Sequence, residues 1–272
     1  MTRSVINALS LLILLSSIAI AQDSGWFARS DRNKEEQPKW VTPLATTTPR
    51  LEQEFRYDIV WQELGAGHNV TNIGNSKGLE LIPFDRTEVI LNIPPYFSRN
   101  FPSTTTDGFG DFSWLVKYRL LTANEKEGNY IVSAFLGGTF PTGSSRNGAE
   151  HATLTPTLAY GKGWGNFDIQ GTFGVTFPVA DTTTIGTPIA WNNAFQYRVA
   201  RKLWPELEIN TNFFPNGPRA GNQQVFLTPG LVIGRIPLNH RVGLTFGAGV
   251  QIAATRFHTS NHNAIFSVRL PF

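Results

Sequence analysis

The sequence of 272 residues contains no cysteine. Without cysteine, neither a disulfide framework nor a lipid-modified N-terminal cysteine can form. Charged residues are also scarce, at 16%, and they nearly balance at a formal net charge of +3. Since no cluster of Lys and Arg accompanies this small excess, the composition excludes a basic surface for nucleic acid. Stability therefore has to come from the fold itself.

Long apolar runs and helical patterns are likewise missing from Leu51 onward. No window of 18 apolar residues occurs there, and no stretch repeats its apolar residues with the 3.6-residue period of a helix. What recurs instead is alternation with period two, which is typical of a strand with two different faces. Gly, Thr, Asn and Phe are abundant, and 12% of residues are aromatic, a composition that suits strands and turns. We therefore expect an all-β chain.

The one strongly apolar stretch lies within the first 21 residues. Arg3 precedes it, and small residues stand at Ala19 and Ala21. This pattern predicts a signal peptide over residues 1–21 that is cleaved after Ala21, so the mature chain is expected to be exported. Residues 22–50, which are polar and interrupted by three prolines, are predicted to form a flexible periplasmic segment. Folding back as a plug is the alternative for this segment.

About twelve alternating segments follow, each near the length of a membrane-crossing strand. In the last one, NAIFSVRLPF, Phe266 and Val268 share one face while Ser267 and Arg269 share the other. The second and third segments are short, and merging them would give eleven strands. The segments begin near Gln53, Leu79, Glu88, Phe109, Tyr130, Thr153, Phe167, Ile189, Glu206, Gln224, Arg241 and Asn263.

The connections between these segments alternate in length. Long polar runs such as ELGAGHNVTNIGNSK and PTGSSRNGAEH take turns with short ones such as DR and GWGN. Outer-membrane barrels have long loops on the outside and short turns in the periplasm, so an even strand number places both chain ends at the short-turn side. Pro156 and Pro229 lie inside two segments, where each deletes a ladder hydrogen bond, and we expect β-bulges there.

A soluble β-sandwich would show the same alternation, because its apolar faces turn toward a shared core. Hydrocarbon demands that every backbone polar group be paired, and strands meet this demand only in a closed ring. A membrane barrel is favoured by Phe272, which ends an alternating strand, and by aromatic residues near strand ends. These aromatic residues are Trp61, Tyr118, Tyr130, Trp164 and Trp204.

The prediction is a transmembrane antiparallel up-and-down β-barrel of about twelve strands over residues 51–272, located in the cell outer membrane. Its expected surroundings are outer-membrane lipids and lipopolysaccharide. The C-terminal aromatic residue Phe272 resembles the signal that bacterial outer-membrane proteins present to the barrel-assembly machinery.

Residues 108–121, GFGDFSWLVKYRLL, combine an aromatic face with charges on the other face. Their pattern G-x-G-D-x-x-x-x-x-K-Y-R resembles a signature of the MetA-pathway phenol-degradation family of outer-membrane proteins. PPY at 94–96 and FPTG at 140–143 match further pieces, and the similarity runs from about Leu79 to Phe272. The resemblance implies an outer-membrane barrel, in some members associated with catabolism of aromatic compounds.

Charged residues on the face opposite the aromatic one are expected to line a wet lumen. Their mixed signs indicate a weakly selective pore or a lumen that its own ion pairs close. A barrel of about twelve strands has a bore between that of filled eight-strand barrels and that of open sixteen-strand porins. The expected lining residues are Arg56, Asp58, Glu88, Asp111, Lys117, Arg119, Asp168, Arg198, Glu208, Arg241 and Arg269.

The expected function is uptake or passage of small molecules, aromatic or hydrophobic ones among them, without catalysis, cofactor or metal. A closed structural or binding barrel is the first alternative. An outer-membrane lipase or deacylase is the second, because residues 258–261 place His258 two residues before Ser260. That pair lies in a polar loop without a clear third partner. His258 and His262 also lack the helix that would bring an i, i+4 pair onto a metal.

Overall fold

The computed structural model describes residues 25–101, 106–144 and 146–272. The predicted signal peptide lies outside this part of the chain. The described residues form sixteen strands and two helices. Neither of these two helices has the length and apolar character needed to cross a membrane.

The strands follow an N-terminal helix and are interrupted once by a single helical turn. Helix α1 spans Trp26–Glu36, and α2 spans Thr182–Ile185. The strands are β1 (Glu54–Gly65), β2 (His68–Gly74), β3 (Gly78–Phe84), β4 (Thr87–Asn92), β5 (Tyr96–Arg99), β6 (Gly108–Phe109), β7 (Phe112–Ala123), β8 (Tyr130–Phe140), β9 (Thr153–Trp164), β10 (Phe167–Val175), β11 (Phe177–Pro178), β12 (Ile189–Tyr197), β13 (Leu203–Phe213), β14 (Gln223–Pro237), β15 (Gly243–Ala253) and β16 (His262–Pro271).

These elements make a closed antiparallel barrel of twelve wall strands, because four wall strands consist of two elements each. The composite strands are β2 with β3, β4 with β5, β6 with β7, and β10 with β11. The barrel closes where β16 pairs with β1, from Glu54 opposite Pro271 to Glu63 opposite His262. Both chain ends of the barrel thus meet at the end with the short turns. The predicted twelve-strand barrel is confirmed.

The first connection at the long-loop end is a tight turn, although the polar run ELGAGHNVTNIGNSK predicts a long loop. Gly65, Ala66 and Gly67 have φ angles of 95°, 54° and 77°, and this turn joins β1 directly to β2. Seven of its fifteen residues form β2, and three more belong to the end of β1. Asn, Gly and Thr are typical of loops, but here β1 and β5 pair with both edges of β2 and supply the hydrogen bonds that a strand needs.

Pro156 in β9 and Pro229 in β14 lie in strands without a β-bulge, so that expectation is wrong. β9 keeps one register from β10 to β11 across Pro156, and β14 keeps one register with β15 across Pro229. Pro156 has no paired residue on the wall strand made of β10 and β11, and Pro229 has none on β15. The missing N–H of each proline therefore removes no hydrogen bond from the ladder with that strand.

The two faces of the wall differ as the alternation predicts. In β7, Tyr118 and Leu120 are exposed on the outer face, while Lys117 and Arg119 are buried inside the barrel. Apolar side chains therefore face outward, where lipid would be, and charges face the lumen. Trp204 differs from the other aromatic residues near strand ends: it turns inward and is buried.

Candidate functional site: the barrel lumen

Charged side chains occupy the half of the lumen toward the short turns. They lie on the inward face of the wall strands, which alternates with the lipid-facing one. Glu54, Glu80 and Glu206 are buried there. Eight of the expected lining residues are buried on the same wall: Arg56, Asp58, Glu88, Lys117, Arg119, Asp168, Glu208 and Arg269.

The other half of the lumen, toward the long loops, is lined mainly by uncharged side chains. On β10, β13 and β16 the inward series continues past the charged residues to Thr172, Asn210 and Asn263. Gln251 Nε2 donates a hydrogen bond of 3.3 Å to Asn210 Oδ1, and Asn263 Nδ2 donates one of 3.0 Å to Gln251 Oε1. The lumen therefore changes from neutral to charged along its length.

Residues 37–53 run through the charged half of the lumen. Trp40 and Leu44 of this segment are buried and pack with Ile131, Trp204 and Val232 of the wall. We call residues 37–53 the luminal segment. The sequence predicts a flexible lead-in over residues 22–50. In the described part of that range, Trp26–Glu36 forms α1 and residues 37–50 lie inside the barrel, which is the position of the alternative, a plug.

Wall carboxylates accept hydrogen bonds from backbone N–H groups of the luminal segment. Glu208 accepts from Ala45 at 2.7 Å and from Thr46 at 2.6 Å. Glu206, two residues earlier on the same face of β13, accepts from Leu44 at 3.1 Å. Three consecutive donors of the segment are thus satisfied by one wall strand.

Wall cations donate to the backbone carbonyls of the same segment. Arg269 Nη2 donates to the carbonyl oxygen of Pro43 at 2.9 Å. Arg56 Nη1 donates to the same oxygen at 3.3 Å, and Arg56 Nη2 donates to that of Leu44 at 2.5 Å. The arginines of β1 and β16 therefore hold the acceptors next to the donors that β13 holds.

The mixed signs of the wall follow from what a buried extended segment requires. A segment outside any sheet leaves its N–H and C=O groups without strand partners, and burying them unpaired costs free energy. Acidic side chains satisfy the donors and basic side chains satisfy the acceptors, so a wall that binds backbone needs both signs. This arrangement explains why no ring of one sign occurs.

Two ion pairs within the wall involve four of these charged side chains. Arg56 Nη2 lies 2.7 Å from Asp58 Oδ2, and Lys117 Nζ lies 2.9 Å from Glu88 Oε1. Glu88 Oε2 in turn accepts from the backbone N–H of Glu52 at 2.6 Å. Breaking such a pair leaves a buried charge without compensation, which is strongly unfavourable. The charged half is therefore closed by its own ion pairs together with the luminal segment.

Helix α1 is tied to the short-turn end of the barrel. Arg119 Nη2 lies 2.5 Å from Glu36 Oε2 at the end of the helix. Lys34 Nζ donates to the terminal oxygen of Phe272 at 3.0 Å, and the N–H of Phe272 donates to the carbonyl of Gln53 at 3.0 Å. Phe272 thus contacts helix α1, which precedes the luminal segment, and Gln53, which ends it.

Two expected lining residues lie in short connections outside the lumen wall. Arg198 follows the last residue of β12 and pairs with Glu125 at 3.3 Å. Arg241 precedes β15, which begins at Gly243 and not at Arg241, and it pairs with Asp31 of α1 at 2.9 Å. Alternation places both on the inward series, but the strands stop short of them.

Asp111 lies at the opposite rim, where it holds a long loop. Its carboxylate accepts from the N–H of Gly143 at 2.8 Å and from the N–H of Ala149 at 2.7 Å. A Cβ added at Gly148 would lie 2.0 Å from Asp111 Oδ1, so this loop can approach the carboxylate only with glycine there. Asp111 therefore orders the loop 141–152.

The three sequence pieces that resemble the family signature meet at this rim. The N–H of Gly110 donates to the carbonyl of Pro95 at 2.7 Å. A Cβ added at Gly110 would lie 2.8 Å from the Phe97 ring and 2.9 Å from the Pro95 ring. Gly143, the last residue of FPTG, binds Asp111. The G-x-G-D part of the signature and the other two pieces thus meet at a junction of two long loops, while Lys117 and Arg119 of the same signature lie in the charged half of the lumen.

The His258–Ser260 pair shows no geometry for nucleophilic catalysis. His258 Nδ1 lies 2.9 Å from the Thr255 carbonyl oxygen, and its Nε2 lies 2.9 Å from Asn261 Oδ1. The Ser260 hydroxyl is buried and has no hydrogen-bond partner among the described residues. His262 lies 3.7 Å from Glu63. In the described part of the chain, no group of three or more His, Asp or Glu residues is arranged to hold a metal ion.

Comparison with protein families gives one match. The model of the family described as "Putative MetA-pathway of phenol degradation" matches residues 45–259. This range includes nine of the seventeen residues of the luminal segment and eleven wall strands in full. A comparison with curated proteins found no match.

Solved structures with the same fold include two outer-membrane proteins. The COG4313 outer membrane channel from Pseudomonas putida F1 is 16% identical, with a TM-score of 0.56 over 86% of this chain and 100% of that chain. The NanC porin is 9% identical, with a TM-score of 0.51 over 79% of this chain and 98% of that chain. At these identities the likeness concerns the fold, which is that of outer-membrane β-barrels.

Proposed function

This chain belongs to the family described as "Putative MetA-pathway of phenol degradation", and on that premise we propose that it is an outer-membrane channel for the uptake of small molecules, aromatic or hydrophobic ones among them. The observation that carries the proposal is the division of the lumen into two halves. The half toward the long loops is mainly uncharged, and the half toward the short turns is charged and filled by the luminal segment.

An uncharged entrance suits a solute without net charge. Thr172, Asn210 and Asn263 are buried in the closed state. When a solute enters, their hydroxyl and amide groups can exchange hydrogen bonds with a phenolic hydroxyl, and they set up no field that repels a neutral ring. Aromatic or hydrophobic solutes of small size fit such a lining. A strongly charged entrance would favour ions instead.

Passage requires the luminal segment to move. Its backbone hydrogen bonds to Glu206, Glu208, Arg56 and Arg269 close the charged half. Because bonds to charged groups contribute about 1.5–3 kcal/mol each, this state is firmly held, and an open state is expected to be rare without a solute. The channel is therefore expected to conduct in brief openings.

Reconstitution into planar lipid bilayers tests the proposal. The mature chain is expected to give brief stepwise conductance, and liposomes that contain it are expected to take up phenol faster than empty liposomes. A mature chain found soluble in the periplasm by membrane fractionation would contradict the membrane location.

The two alternatives give different results in the same preparation. A closed structural or binding barrel would give neither conductance nor solute uptake. An outer-membrane lipase or deacylase would release fatty acid from the lipid, and the hydrolysis would disappear in Ser260→Ala. Our proposal expects no hydrolysis above the rate of protein-free bilayers.

A further inference from the structure

A cavity of about 370 Å³ lies at the short-turn end, between the N-terminal segment and the barrel wall. The N-terminal side contributes Lys34, Lys39 and Arg50. The cavity is thus not a hollow of the barrel alone, since it exists only while the luminal segment is in place. Its volume falls in the range of sites for small organic ligands, roughly 300–1,000 Å³.

The barrel strands and one of their short connections contribute four further cations to the same cavity. Arg198 and Arg201 come from the turn before β13, Arg235 from the end of β14, and Arg269 from β16. Seven cationic side chains in all face two acidic ones. The acidic side chains are Glu52 and Glu54. The lining therefore carries a clear excess of positive charge.

Several of these cations are already close to a partner, but the excess remains. Arg50 Nη1 lies 2.9 Å from Glu52 Oε1, yet the buried Nε of Arg50 has no hydrogen-bond partner among the described residues. An unpaired buried donor of a charged group is costly. Other atoms of the Arg50 side chain line the cavity, so a ligand oxygen there would add a partner for its positive charge.

Lys34 experiences the same excess of positive charge. Burial lowers the pKa of Lys34, and the nearby guanidinium of Arg235 lowers it further. A bound anion would offset both effects, because it stabilises the charged ammonium. This electrostatic setting agrees with the geometry of the lining.

An apolar aromatic surface completes the cavity. Trp40 of the luminal segment and Trp204 of β13 both line it and are both buried. Arg198 lies over the Trp204 ring, 5.6 Å from its centroid. A flat ring can lie against indole surfaces while a charged substituent reaches the arginines. The site thus combines recognition of an anion with recognition of a ring.

We propose that this cavity binds a small aromatic carboxylate, with the carboxylate among Arg50 and the wall arginines and the ring against Trp40 and Trp204. Since six of the sixteen lining residues belong to the luminal segment, the ligand binds the closed state and stabilises it by mass action. The inference goes beyond the proposed function, because binding at this site is measurable whether or not any solute crosses the barrel.

A further cavity adjoins the site at the short-turn side. A second cavity of about 540 Å³ is lined by Asn166, Arg198, Ala200 and Arg201. Because Arg198 and Arg201 line both cavities, the two adjoin. A ligand arriving at the short-turn end would therefore meet these arginines first.

Isothermal titration calorimetry of the purified full-length chain in an uncharged detergent tests this site, with benzoate as the probe. Saturable binding of one benzoate per chain is expected, together with at least about tenfold weaker binding of benzamide, which has the same ring and no charge. Absence of saturable benzoate binding would overturn the proposal. Phosphate binding as tight as benzoate would also overturn it, since the ring would then contribute nothing.

Two variants locate the binding. Arg201→Gln removes a cation from an exposed turn and is expected to weaken benzoate binding by about tenfold. Arg256→Gln removes the same charge from an exposed loop at the opposite end and is expected to leave the affinity unchanged. Equal affinities of the two variants would contradict the assigned site. Benzoate is also expected to slow hydrogen exchange in residues 37–53 of the unmodified chain, and unchanged exchange would refute the coupling to the closed state.

Discussion

The carboxylate of Glu208 lies 2.6 Å from the backbone nitrogen of Thr46, although the two residues are 162 positions apart in the chain. This contact joins the inner wall of the barrel to the middle of the luminal segment. The second oxygen of the same carboxylate accepts from Ala45. One wall side chain therefore holds two consecutive backbone groups of the segment that closes the lumen.

Replacing Glu208 by Ala is expected to loosen the luminal segment. Two hydrogen bonds to a charged group are lost, each contributing about 1.5–3 kcal/mol. Hydrogen exchange of the amides of Ala45 and Thr46 should accelerate by at least about tenfold. Glu125→Ala, which removes a carboxylate from the ion pair with Arg198 at the short-turn end, is the control. Equal exchange in the two variants would contradict the role of Glu208.

Leu44 occupies a recess made by glycines, and a methyl group there should displace it. A Cβ added at Gly247 would lie 2.5 Å from Leu44 Cδ2 and no closer than 3.4 Å to the other neighbouring atoms. Gly247→Ala is therefore expected to raise the open probability in planar bilayers. Leu44→Ala removes the side chain that clashes. In the double variant, the increase in open probability should therefore be smaller than the sum of the increases in the two single variants. Strictly additive effects would show that the two residues do not interact.

The barrel wall and the assignment of its two faces follow from the sequence alone. Alternation, loop lengths and Phe272 predict a twelve-strand barrel, and the same alternation assigns Lys117 and Arg119 to the lumen, because a closed sheet between lipid and water has only these two faces. Polar composition is a weaker guide to strand limits. It predicts a loop where β2 in fact pairs on both edges. Alternation likewise extends the inward series to Arg241, although β15 begins only at Gly243.

The course of the luminal segment could not be predicted in this way. A segment without periodicity carries no pattern of its own, and its burial depends on partners far away in sequence such as Glu208 and Arg269. A signal is present in hindsight: inward-facing glycines at 161, 163, 247 and 249 leave room where Trp40 and Leu44 enter. Glycine on the lumen face of a strand can therefore indicate a neighbour inside the barrel.

Asp111 is expected to stabilise the long loop 141–152 and not to affect the luminal segment. Asp111→Ala leaves the N–H groups of Gly143 and Ala149 without their acceptor, so protease cleavage within this loop should become faster. Asp181→Ala is the matched control, because Asp181 accepts hydrogen bonds within the next long loop. Cleavage in residues 141–152 at equal rates in both variants would refute this role.

Deletion of Phe272 is expected to impair insertion of the barrel while leaving export intact. The deletion removes the C-terminal aromatic residue and the oxygen that accepts from Lys34. Amounts of folded barrel in outer-membrane fractions measure the effect. Lys34→Gln removes the contact to the terminal oxygen and keeps the aromatic ring, so it separates the two causes. Normal barrel levels after deletion would contradict an assembly role for Phe272.

The most direct measurement of the closing role uses a reversible cross-link between the luminal segment and the wall. Thr46 Oγ1 and Asn210 Nδ2 lie 3.3 Å apart, and the native chain contains no cysteine. In Thr46→Cys/Asn210→Cys, bridging the two thiols should abolish conductance in planar bilayers, and reduction should restore it, while each single variant conducts under both conditions. Undiminished conductance of the fully bridged protein would show that solutes pass without movement of the segment and would contradict the proposed mechanism.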